Sequence, residues 1–287
     1  MAVTTTERNE ARRFPVGLLL VAAPVLLVAV FVLLPAIAAI ISTLRPDTTG
    51  GWSLASYTRF FDDPLSTGNL LFTLFSTIVT SASLLLVCLP VALYLRFSTG
   101  RLPAFVQSVA VFPLFVPGII VGYALIRFMG PNGTIQTVLH GLGIEGFRSP
   151  YLTPLGTVIG LVWEGIPLTL LILLSGLAQI PDAAVEAARD VGAGSLRILT
   201  GIILPLIRNA LTVAFSLSFL GVFGAFTMPY LLGPASPEMM GVFMQRTFSE
   251  LQDPVQAQTQ AVLCFLFCAV VGVVYVRSVA RSRRKAS

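Results

Sequence analysis

The sequence predicts an all-α integral membrane protein of six transmembrane helices, and three observations predict it. Of the 287 residues, 55% are hydrophobic and only 11% are charged, whereas a soluble domain carries about 25% charged residues. Six runs are long enough to cross the hydrocarbon as helix, which takes about 20 apolar residues. The charges fall between those runs, with Glu164 as the single exception.

The first run, Phe14–Leu44, is uncharged and follows Arg8, Arg12 and Arg13. A secretory leader starts this way, but the run is about twice the length of a leader's apolar region and no small-x-small cleavage pattern follows, so an uncleaved helix is expected. Pro64–Leu95 and Leu102–Ile126 form the second and third runs, the third interrupted by Pro113, Pro117 and Gly118. The fourth, Tyr151–Ile180, holds Glu164 with Pro167 just behind it, and the fifth, Asn209–Gly233, is expected to break at Gly221, Gly224 and Pro229. Val255–Val276 is the sixth. Irregular backbone at membrane depth is tolerated where it lines a cavity or is buried in protein. Glycines serve close helix packing equally well.

Six spans place both termini on one side. With the termini inside, 13 of the 18 basic residues lie on the inner segments, so the excess of positive charge there makes both termini cytoplasmic. The net charge of +5 is then a matter of orientation, and a nucleic-acid partner is not expected. The domain reading is a cytoplasmic tail over 1–13, a transmembrane unit over 14–276 and a basic cytoplasmic tail over 277–287.

Few residues offer chemistry. Cys88, Cys264 and Cys268 lie in apolar runs without His or carboxylate neighbours and read as small packing residues. His140 is the lone histidine and reads as a loop residue, so no metal is expected. No paired carboxylates, His cluster or nucleophile with a base appears, so an enzyme is not expected. Residues 239–251 carry Met240, Phe243, Met244, Phe248 and Leu251 at helical spacing between Pro237 and Pro254. They read as a helix lying on the outer face.

The exception to this oiliness is residues 181–206, expected on the cytoplasmic side between the fourth and fifth runs. Pro181-Asp182 suits a helix start, with the acid complementing the helix dipole. Residues 183–191 then read as a helix with a shallow surface of Ala183, Ala184, Ala187, Ala188 and Val191. Gly192 and Gly194 permit the turn that ends it. A second short helix, Ser195–Ile203, is expected to be apolar through Leu196, Leu199, Ile202 and Ile203, and Pro205 to break the chain before the fifth span. Two readings fit: a solvated helical loop, or a smooth helix that seats in another protein's groove.

The spacing Glu186-Ala187-Ala188, three residues, Gly192, nine residues, Ile202-x-Leu204-Pro205 resembles in full the EAA motif of permease subunits of binding-protein-dependent ABC importers. The resemblance implies a type I importer permease fold in a bacterial cytoplasmic (inner) membrane. It also implies that this hairpin is a coupling helix seated in a cleft of an ATPase subunit. Glu186 and Gly192 would be its key residues, with Ala187, Ala188, Asp190, Ile202, Leu204 and Pro205 completing it. The implied partners are two ABC ATPase subunits using ATP and Mg, a second permease subunit that is related and not identical, an extracytoplasmic solute-binding protein, and membrane lipid. Lys285 is the only lysine, so a P-loop lysine is missing and this chain is expected to bind no cofactor itself.

A carboxylate at bilayer depth costs roughly 2.5–3.5 kcal/mol on insertion scales, so Glu164 is expected to face protein or water. It either lines the translocation path, attracting a cation, or pairs structurally with a group such as Arg127. The candidate path comprises Glu164, Trp163, Pro117, Tyr123, Phe223 and Phe226. Residues 130–144 and 227–241 resemble outer loops of the polyamine, sulfate/thiosulfate and ferric-iron permease group, although Gly233-Pro234 stands where polyamine permeases carry paired glycines. The resemblance and the midspan acid point to a polyamine (spermidine or putrescine) or another small charged solute. Sugar, sulfate/thiosulfate, phosphonate and iron are the alternatives within the class, and a gradient-driven secondary transporter or a membrane scaffold the alternatives outside it.

Overall fold

The computed structural model describes residues 13–45 and 51–286, so the expected tail up to Arg12 lies outside the described residues. The first run is α1 (Arg13–Val28), a π-helical turn (Ala29–Leu33) and α2 (Leu34–Leu44). A short helix α3 (Ala55–Asp62), not expected from the sequence, precedes the long α4 (Pro64–Phe97). The third run is α5 (Arg101–Val111), a 3-10 turn (Phe112–Phe115) and α6 (Gly118–Met129), followed by α7 (Thr134–Gly141) where a loop was expected. α8 (Pro154–Leu177) is the fourth run. The hairpin is α9 (Asp182–Asp190) and α10 (Ser195–Ile198) with a π turn (Leu199–Ile203). The fifth run is α11 (Leu204–Phe223) and α12 (Thr227–Leu232). α13 (Met240–Ser249) and α14 (Pro254–Ala286) complete the chain, and α14 carries the helix through the basic stretch 277–286.

Among the described residues the structure is all helical, with five helices long and apolar enough to cross a membrane, or six when the bent third run is taken as one. Three spans start the same way: a side-chain cap followed by proline. Asp63 accepts from the backbone N–H of Leu65 (3.2 Å) and Ser66 (3.0 Å). Thr153 accepts from Gly156 N (3.4 Å), and Asp253 from Gln256 N (2.9 Å). Each cap satisfies a donor that the first turn cannot, and the proline behind it has no N–H to lose.

Proline acts differently further in. The third run bends by 110° around Val116-Pro117; a residue ahead of proline is forced extended, and Val116 is. Pro167, by contrast, lies inside an unbroken α8. Gly221 sits within α11 and Pro229 within α12, so the fifth run breaks only at 224–226. Pro205 does not break the chain either: α10, the π turn and α11 form one 29-residue helix. Proline cannot donate to the carbonyl four residues back and its ring would strike it. The turn just ahead, widened to a longer hydrogen-bond spacing, takes up that misfit. The same device, a five-residue π turn followed by Leu-Pro, precedes Pro35.

The bundle is built on α4, α8 and α11, with α14 against α11 and α2 at the periphery against α14. The first run is exposed along nearly its whole described length, as a lipid-facing helix is. At the hairpin end, Leu84 and Cys88 of α4, Leu170 and Leu173 of α8, and Ile207 of α11 form a buried core. At the other end Met240, Phe243 and Phe219 pack with Phe60. Cys264 and Cys268 pack on that second core and, like Cys88, are free thiols. α13 lies on the bundle and buries Met240, Phe243 and Thr247. The expected apolar stripe is therefore split, because Phe248 and Leu251 point outward.

Candidate functional site

Two features of the chain can do work: the hairpin at one end of the bundle, and a cavity partway along it. α9 rests on the bundle through one face, with Val185 buried and Ala188 packed on the core beside it. The opposite face leaves Glu186, Ala187, Arg189 and Asp190 exposed. Gly192 ends the helix at φ 80°, in the left-handed region that a Cβ disfavours. Its N–H donates to Arg189 O (2.9 Å) and the N–H of Ala193 donates to Ala188 O (2.9 Å). This pair of bonds is the Schellman motif, and the accompanying apolar contact is present because Ala188 and Ala193 pack on the same core. The physical reason for a glycine four residues after Ala188 is therefore the turn itself.

In the second arm, Ile198 and Ile203 face the core, Leu199 and Leu204 pack beside them, and Ile202 is half-buried. Of the four apolar residues expected on this arm, Leu196 does not join Leu199 and Ile203 in packing on the core. Leu196 is 74% exposed and Val191, across the turn, 84% exposed, so the hairpin ends in an apolar tip. The one-turn α10 leads directly into a π turn, and that widening rotates the residues behind it relative to Leu196. Pro205 is exposed on the helix surface.

Arg96, at the end of α4, meets the base of the hairpin. It donates from Nε to Leu177 O (3.3 Å) and from Nη2 to Ile180 O (3.2 Å) and to Asp182 Oδ1 (2.6 Å). Nothing in the sequence foreshadowed this contact beyond a positive charge at the end of an apolar run.

The cavity, about 260 Å³, lies where α4, α8 and α11 meet the break between α11 and α12, and Glu164, Ser218, Phe226 and Thr227 are among its walls. Glu164 forms no ion pair among the described residues, and the structure gives it no Arg127 contact. Its Oε1 lies 3.4 Å from where a Cβ on Gly118 would sit. Glu164 therefore faces the first residue of α6, immediately after the Pro117 bend. Ser218 is held from behind by Thr169 (3.0 Å between hydroxyls).

The structure separates the rest of the expected path. Phe226 reaches the cavity and stacks on Tyr230 with ring centres 5.2 Å apart. Phe223 does not reach it. It is 1% exposed, stacked on Phe219 (5.7 Å) and packed toward Phe267 of α14, so it belongs to the core. Trp163 turns the other way, into an apolar cleft of about 330 Å³ between α4, α5 and α8. Pro117 sets the bend without lining the cavity, and Tyr123 is exposed on α6. His140 is exposed in the last turn of α7. Among the described residues no three His, Cys, Asp or Glu side chains converge.

Comparison with known proteins places this geometry. The chain is 29% identical over 218 residues to the spermidine/putrescine transport system permease protein PotB of Escherichia coli K12, covering 74% of this chain and 78% of PotB. It is also 29% identical over 234 residues to the sulfoquinovosyl glycerol transport system permease protein SmoG of Agrobacterium fabrum, covering 77% of this chain and 74% of SmoG. Its fold matches a chain of the bacterial alginate ABC transporter in complex with an alginate pentasaccharide-bound periplasmic protein, with a TM-score of 0.78 over 98% of both chains at 16% identity. The family model of the binding-protein-dependent transport system inner membrane component matches residues 48–285. The chain belongs to that family, as a permease subunit of a type I ABC importer.

Proposed function

We propose that this permease imports a small cationic solute, of which a polyamine such as spermidine or putrescine is the leading example, across a bacterial cytoplasmic membrane. The observation that carries the substrate class is Glu164: a carboxylate midway along a membrane-spanning helix, at a cavity wall, with no basic partner among the described residues. Such a charge is stabilised by water or by an arriving cation. PotB and SmoG are equally similar to this chain although their names give different solutes, so the site chemistry rather than similarity supports the choice.

In this reading the path is completed by a second, related permease, and an extracytoplasmic binding protein delivers the solute. The fold's likeness to a transporter solved with its periplasmic protein supports that partner. Two ATPase subunits, which bind ATP and Mg, receive the hairpin. Glu186, Ala187 and Asp190 form the docking face on α9, and Val191 and Leu196 form an apolar tip that a partner's cleft would cover. Ala188, Gly192, Ile202, Leu204 and Pro205 hold that face in shape. When the ATPases close, the hairpins move together and the helices open outward; hydrolysis returns them. The chain itself performs no covalent step.

The test is substrate-stimulated ATP hydrolysis by the reconstituted complex, with spermidine, putrescine, sulfate and a neutral sugar offered in turn through the binding protein. A polyamine should stimulate the wild type, and Glu164→Gln should lower cation uptake several-fold while leaving basal hydrolysis intact. Stimulation by sulfate or sugar alone, or full uptake by Glu164→Gln, would sink the cationic reading.

A further inference from the structure

We infer that Arg96 is a positioning residue that passes the displacement of the α9 hairpin to α8 and α4. The inference rests on the proposed coupling role of the hairpin. The weak point of such a transmission is the junction between α8 and α9. α8 ends at Leu177, and the last carbonyls of a helix have no partners within it. The three residues Gln179–Pro181 between Ala178 and α9 are outside both helices and are tied to α8 by only two turn bonds, Gln179 N to Gly176 O and Ile180 N to Leu177 O (3.2 Å each). Left alone, such a connector would flex when α9 is pushed.

One guanidinium closes that gap. It reaches the carbonyl at the end of α8, the carbonyl of Ile180 within the connector, and the carboxylate of Asp182, the first residue of α9. The charges alternate in line. The negative end of α8 faces Arg96, Arg96 faces Asp182, and Asp182 sits on the positive end of α9. Arginine suits this place because its planar fork can hold several acceptors at fixed angles, which a lysine ammonium cannot. Arg96 is itself the last basic residue of α4, the longest helix of the bundle, which packs along α8.

The ion-pair part of the contact is poorly placed to serve stability. The Asp182 side chain is 68% exposed and that of Arg96 23% exposed, and exposed ion pairs contribute little. What it can do is make α9, the connector and α8 move as one piece. Glu164 lies 13 residues before Leu177 on α8, about 20 Å along the helix. A tilt imposed at the hairpin is thus carried by a rigid rod to the cavity wall.

The measurement is solute transported per ATP hydrolysed, in proteoliposomes holding the complete complex and supplied with binding protein and polyamine. Wild type, Arg96→Ala, Arg96→Lys and Asp182→Asn are compared. Arg96→Ala should still hydrolyse ATP but lose about three- to tenfold in the ratio, the range that residues coupling two sites command. Arg96→Lys should fall between, and Asp182→Asn should show a smaller loss. A ratio equal to wild type in Arg96→Ala overturns the inference. Should that variant fail to assemble, Arg96→Lys and Asp182→Asn decide, since neither removes a buried group: a reduced ratio upholds it and two unchanged ratios overturn it. Wild-type uptake that needs no ATP would overturn the hairpin reading and this inference together. ATP-driven wild type with unaffected variants overturns this inference alone.

Discussion

At Gly192 the backbone turns with φ 80°, and the glycine has open space around its missing side chain. The penalty of a substitution there is conformational and not steric. Gly192→Ala should cost about 1–2 kcal/mol, and asparagine, which enters the left-handed region more readily, should cost less. Hydrogen exchange of the amides of residues 192 and 193 reads this directly: both should exchange faster in the alanine variant. Asp63 offers a pH-dependent counterpart. Its carboxylate is held below the usual range, chiefly by the hydroxyl of Ser66 (2.6 Å) with help from the backbone N–H groups of Ser66 and Leu65. A depressed carboxylate stabilises the fold above its unfolded pKa, about 3.9, and that share is lost as pH falls through the folded value. Asp63→Ala should therefore cost about 1 kcal/mol at neutral pH, as a lost helix cap does. The difference from wild type should close in acid below about pH 4; thermal melts of the detergent-solubilised protein at pH 7 and pH 3 would show it.

Between elements, closeness is set by small residues. A Cβ added at Gly176 of α8 would collide with the Cβ of Ala210 on α11. The two helices meet there backbone to backbone, as small residues allow in membrane bundles. Gly176→Ala should destabilise by about 1–3 kcal/mol through overpacking. Ala210→Gly in the same chain should recover most of that loss; a double variant as unstable as the single one would contradict this packing. The starts of the spans were legible because caps and prolines are local signals: the second run was expected from Pro64 and begins there. The π turns ahead of Pro35 and Pro205 were not legible, because a proline can end a helix, kink it or be absorbed, and the surrounding packing decides which. Arg96 was hidden for a similar reason. Its acceptors include backbone carbonyls 81 and 84 residues further along, and a carbonyl has no sequence signature.

Across the whole molecule, the class of protein was plain in the pattern of charge, and the family in the spacing from Glu186 to Pro205. The face of each helix was not. In a soluble helix, polarity separates the inside from the outside, but here lipid and core are equally apolar, so Phe223 and Phe226 look alike in sequence. One is core and the other lines the cavity. Glu164 was legible because a charge in such a run has few places to go, whereas its neighbour Trp163 was drawn in by proximity and faces the opposite cleft. The hairpin joins these scales: a glycine-closed turn shapes it, a guanidinium fastens it to α4 and α8, and α8 carries the acid of the cavity. The most direct test of a permease driven through this hairpin is polyamine uptake into proteoliposomes holding the full complex, with wild type beside Glu186→Arg. Uptake by the wild type should require ATP, and the exposed charge reversal on α9 should abolish it while the bundle stays folded. ATP-independent uptake that survives Glu186→Arg would contradict the mechanism.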